Sequence, residues 1–100
     1  MTDITLTISR SDLLSLALTV SNAARASEND ERLSTAASEY RLSATIWRAA
    51  GYQRRGDEAM LMAQTCLDAA RTAHPERFPL ELTLEPLPQA DLLKLVRGEA

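Results

Sequence analysis

Between residues 30 and 74 apolar side chains recur at helical spacing, and this run commits the chain to helix packed on helix. Leu33, Ala37, Tyr40, Ala44, Trp47 and Gly51 fall at offsets 0, 4, 7, 11, 14 and 18, one stripe of a 3.6-residue period. Ala59, Met62, Ala63, Cys66, Ala69, Ala70 and Ala73 continue the pattern. The two stripes predict a pair of long helices folded back at Gly56-Asp57. There glycine relieves the backbone, while Asp57 and Glu58 set negative charge on the positive end of the next helix. Trp47, the only tryptophan, is expected where this hairpin is most buried.

The remaining segments are read around the hairpin, within a single domain spanning residues 1–100. Ile4, Leu6 and Ile8 alternate with threonines, the period-2 pattern of a strand with one buried face. Ser9 and Asp12 then make a capping box for a helix over about Arg10 to Ala26. That helix carries Leu13, Leu14, Leu16, Ala17, Leu18, Val20, Ala23 and Ala24, apolar around more than half its circumference. It is expected to be a central helix or one shared with a second copy, which makes a homodimer one expected state. Ser27 or Asn29 is the expected cap of the following helix, and His74-Pro75 ends the hairpin. Leu80, Leu82 and Leu84 form a second alternating run. The expected fold is mainly α with an α+β element: a ribbon pairing residues 3–9 with 79–85, then a short C-terminal helix bearing Leu92, Leu93, Leu95 and Val96.

No catalytic signature emerges. The three glycines, Gly51, Gly56 and Gly98, make no phosphate loop, and the lone Cys66 leaves no intramolecular disulfide or zinc cluster. His74, the only histidine, is placed to complement a helix end rather than to catalyse. No enzyme activity, metal or cofactor is therefore expected. A basic-plus-apolar leader and a bilayer-length apolar run are both missing from the pattern, so a cytoplasmic protein is expected.

Two charge features are candidates for function. Glu28, Asp30 and Glu31 put three carboxylates at a helix start, read either as a solvated first turn or as an acidic knob that meets a basic protein surface. Arg41, Arg48 and Arg55 recur every seven residues, with Arg54 beside the last. They form a solvated face with local carboxylate partners such as Glu39 and Asp57, a self-association contact with the acidic flanks, or a surface that tracks phosphate. The net charge of -3, and the lack of aromatics interleaved with the arginines, weigh against nucleic acid as a direct ligand.

Trp47, Gly51, Ala63, Ala70 and Pro75 stand at spacings that resemble a tetratricopeptide repeat over residues 47–75, which implies a helical hairpin. Ala50, Arg54 and Leu67 depart from that pattern, and no second copy follows, whereas such arrays need about three repeats. In profile the chain is similar to the small phage-encoded anti-CRISPR proteins, and within them to inhibitors of type I-F surveillance complexes. The likeness rests on small size, an acidic balance, the Glu28, Asp30 and Glu31 cluster and the missing active-site motif. It implies a viral inhibitor in the host cytoplasm that binds a Cas complex by protein–protein contact and blocks target DNA. No site residue is carried over by it. The alternatives are a small helical adapter or structural subunit of a bacterial or phage assembly, and a nucleic-acid-binding regulator using the arginine face.

Overall fold

Ser9 opens the first helix. Its backbone is extended (φ -68°, ψ 153°), and its hydroxyl accepts the Asp12 N–H at 3.1 Å, satisfying one donor that the helix itself leaves free. The computed structural model describes residues 9–77 and 83–87, and these hold three helices: α1 (Arg10–Asn29), α2 (Leu33–Ala49) and α3 (Gln53–Ala73). The mainly helical reading stands. Most of both strands of the expected ribbon, residues 3–8 and 79–82, lies outside the described residues, as does the expected C-terminal helix. Residues 83–85 are described and are not a strand. Their backbone is met by side chains instead. The Leu84 N–H donates to Gln64 Oε1 at 2.8 Å, Arg41 Nε donates to the Glu85 carbonyl, and Thr45 Oγ1 donates to the Leu87 carbonyl at 3.0 Å.

The turns correct the expected hairpin. Its bend falls at Ala50–Tyr52, because Gly51 takes a left-handed φ of 91° and closes α2. The Gly51 N–H donates to Arg48 O at 3.0 Å and the Tyr52 N–H to Trp47 O at 2.9 Å, the paired bonds of a Schellman motif. The apolar contact that accompanies this motif is also present: the Trp47 and Tyr52 rings meet edge to face with centroids 5.9 Å apart. Gly56 lies inside α3, buried against α2. A Cβ there would meet Arg48 Cγ at 2.6 Å and Ala44 O at 3.1 Å, so this glycine sets helix approach rather than a bend. Trp47 and Gly51 therefore stand on a helix and in a turn, not along one helical stripe.

The central helix is α2, not α1: α1 and α3 each pack along it. Accordingly its buried set, Ala36, Ala37, Tyr40, Ser43, Ala44, Thr45, Ile46 and Trp47, spreads around more than half its circumference. Small residues dominate the contacts. Toward the α1–α2 turn, Ala24, Ala36, Ala37, Ala63, Cys66 and Leu67 surround Tyr40, with Leu84 packed against them. Toward the α2–α3 turn, Ala17, Ala44, Ile46 and Ala59 surround Trp47, supported by Leu13, Leu14, Val20 and Met60. With so little side-chain volume per position, the helices must come close to exclude voids.

Candidate functional site

The acidic cluster belongs to the α1–α2 turn. Helix α1 runs one turn beyond Ala26 and ends in a second Schellman motif: the Glu31 N–H donates to Glu28 O at 3.0 Å and the Arg32 N–H to Ser27 O at 2.8 Å. Here the left-handed position is filled by Glu31, at φ 62°, the only non-glycine residue with positive φ among those described. Neither Ser27 nor Asn29 caps α2. Arg32 is its N-cap, with no side-chain bond to the backbone, and buried Ser27 instead donates to Glu39 Oε1 at 2.5 Å.

The three carboxylates separate into two roles. Glu28 is half-buried and turns inward, its Oε1 accepting the Tyr40 hydroxyl at 2.9 Å. Burial, then the hydrogen bond to Glu28, pushes the Tyr40 phenol up to about 12. Burial likewise raises the Cys66 thiol, and the Glu28 charge and a hydrogen bond to it add to the effect. Glu28 thus links α1 to a phenol on α2, and its charge bears on a thiol on α3. Asp30 and Glu31 are exposed, and Asp30 makes only a long contact of 3.6 Å with Arg32. An open cleft of about 580 Å³ adjoins them, walled by Glu31, Arg32, Ser34 and Thr35 on one side and His74 and Arg77 on the other. His74 forms the C-cap of α3, with its Nδ1 3.6 Å from Glu76.

The arginines do not form one face. Arg41 and Arg48 lie on α2, Arg54 and Arg55 on α3. Arg41 reaches the Glu85 carbonyl, Arg48 Nη2 pairs with Asp57 at 2.8 Å, and Arg54 sits 3.5 Å from Glu58. Arg55 lies over the Trp47 ring at 5.1 Å, and Arg10 over Tyr52 at 4.9 Å. Aromatics do meet arginines at this end of the bundle, which spacing along the sequence did not reveal. One stack joins α3 to α2, the other α1 to the α2–α3 turn.

Among the described residues no group of three or more His, Cys, Asp or Glu is placed to hold a metal ion, and no helix is long and apolar enough to cross a membrane. No protein-family model, curated protein or solved structure matches the chain.

Proposed function

We propose that this protein is a non-enzymatic inhibitor that binds another protein, presenting Asp30 and Glu31 to a basic surface that would otherwise grip nucleic-acid phosphate. One observation supports this above the rest: Glu31 holds a left-handed backbone that glycine takes freely, while the matching position of the next turn is Gly51. A side chain kept where it costs about 1 kcal/mol is a mark of use rather than of folding. The turn is fixed by backbone bonds on both sides, so Asp30 and Glu31 are displayed with little ordering cost on binding. Opposite charge then speeds encounter with a basic groove. The likeness in profile to anti-CRISPR proteins makes a type I-F Cas surveillance complex the first target to test.

The test is competition for target DNA on that purified complex. Wild type should displace DNA at stoichiometric ratio, and the Asp30→Lys, Glu31→Lys variant should need at least about tenfold more protein. Glu28 is left unchanged, since reversing it would strip Tyr40 and Cys66 of their partner. Equal potency of variant and wild type would remove the turn as the binding surface. Lack of displacement by wild type would remove this complex as the target.

A further inference from the structure

Residues 83–87 are neither helix nor strand, yet side chains of α2 and α3 hold their main chain in place. Gln64 of α3 accepts the Leu84 N–H at 2.8 Å, Arg41 of α2 donates to the Glu85 carbonyl, and Thr45 of α2 donates to the Leu87 carbonyl at 3.0 Å. Leu84 is the apolar anchor, packed against the cluster that holds Tyr40, Cys66 and Leu67. Thr83, Glu85 and Pro86 are exposed. This is how a groove reads a peptide: main-chain bonds supply affinity, and a contact for one side chain supplies selectivity. The grip is also arranged to release. Thr45 Oγ1 has a second acceptor in the Arg41 carbonyl at 3.4 Å, and Gln64 Nε2 donates to Asp68 at 2.9 Å. Both side chains therefore keep a partner when the segment leaves, which holds down the polar cost of opening.

We propose that the α2–α3 groove under residues 83–87 is a peptide-binding site which these residues fill as a displaceable strap. Its partner is a segment of another protein carrying Leu-x-Pro, the order that Leu84, Glu85 and Pro86 have here. The strap itself defines this chemistry. Leucine fills the contact beside Tyr40, Cys66 and Leu67. Proline two places on brings no N–H that needs a partner, and its fixed φ lowers the ordering cost of binding. The carbonyls on either side of it supply the acceptors for Arg41 and Thr45. Because the strap belongs to the same chain, it competes at high effective concentration and masks part of the groove's affinity for a partner. The groove uses neither Asp30 nor Glu31, so it stands or falls apart from the function proposed for the α1–α2 turn.

Amide hydrogen exchange on the wild-type chain is the first test, since it needs no substitution. The Leu84 amide should exchange at least about a hundredfold faster than the Ala44 amide of α2, through a local opening that low urea does not speed. Exchange at Leu84 only by global unfolding overturns the strap. The second test is binding of a fluorescein-labelled peptide of residues 80–88 to the full chain, followed by anisotropy, with melts to confirm that each variant folds. Leu84→Asp in the chain loosens the strap and should tighten peptide binding at least about tenfold over wild type. Leu84→Ala, a milder change, should act in the same direction. Adding Thr45→Val to either should weaken binding at least about threefold, and a peptide carrying Leu84→Asp should not bind. The proposal is overturned if the loosened chain binds the peptide no tighter than wild type, or binds the substituted peptide equally well. A wild-type dimer that Leu84→Asp dissociates, seen by sedimentation equilibrium, would assign the groove to a second copy and overturn it too.

Discussion

Glu31 and Gly51 occupy the same left-handed position in two successive turns, at φ 62° and 91°. Each follows a helix C-cap, and each sends its N–H back three residues, to Glu28 O and Arg48 O, both at 3.0 Å. The backbone problem is the same and the residues solving it differ. Gly51→Ala should cost about 1–2 kcal/mol in a urea melt, purely from the backbone, because nothing lies within 4 Å of a Cβ built there. A variant as stable as wild type would show that this turn tolerates a side chain, and the contrast with Glu31 would lose its meaning.

Gly56 tests a different cost. In an open helix Gly→Ala stabilises by about 1 kcal/mol, but here the added methyl meets Arg48 Cγ at 2.6 Å. Overpacking of about 1–3 kcal/mol should win, so Gly56→Ala should melt lower than wild type. In an Arg48→Ala background the clash is gone, and the same substitution should become neutral or stabilising. A loss unchanged in that background would place the strain on Ala44 O instead.

Trp47 is 7% exposed, with the edge of Tyr52 on one side and the Arg55 guanidinium over its ring. Trp47→Ala should cost about 3–5 kcal/mol, a large share of the roughly 5–15 kcal/mol typical of a whole domain. A chemical melt showing a loss below about 1 kcal/mol would contradict the packing around it.

Alkaline pH should destabilise the fold through Tyr40. Its phenol is pushed up to about 12 from 10.0, by burial first and then by Glu28, with Arg25 opposing. The folded chain keeps a proton that the unfolded chain releases. Stability from this group is therefore whole below about pH 10 and falls as pH rises toward 12, with a slope approaching about 1.4 kcal/mol per unit. Cys66, raised from 9.0 chiefly by burial, adds loss of the same sign above that pH. Chemical melts of wild type and Tyr40→Phe across this range check it. The Phe variant should start about 1 kcal/mol lower and fall less steeply. Parallel curves would mean that Tyr40 does not hold its proton in the fold.

What the sequence made legible is what one helix decides alone. Ser9 capping α1 is local chemistry, and the burial of Ala37, Tyr40, Ala44 and Trp47, or of Ala59, Ala63, Cys66 and Ala70, follows from period. The bend was not legible because Gly51 and Gly56 carry the same local signal. Only the packing of Gly56 on Arg48 separates them. Polar Ser43 and Thr45 are buried because α2 is enclosed on several sides, a tertiary fact that no periodicity encodes. Met62, Ala69 and Ala73 lie on the stripe yet are exposed, since among the described residues α3 packs chiefly on α2. The site divides the same way. Three clustered carboxylates were visible in the sequence, but the turning of Glu28 toward Tyr40 depends on a residue twelve positions away on another helix.

The central claim is that Glu31 is kept for its carboxylate and not for its backbone. Glu31→Gly separates the two directly when stability and DNA displacement on the surveillance complex are measured on the same preparation. The variant should gain about 0.5–1 kcal/mol in a chemical melt, because glycine relieves the φ of 62°. Its inhibition should fall several-fold. A variant more stable than wild type and equally inhibitory would contradict the account, leaving Glu31 as a turn residue without a partner to meet.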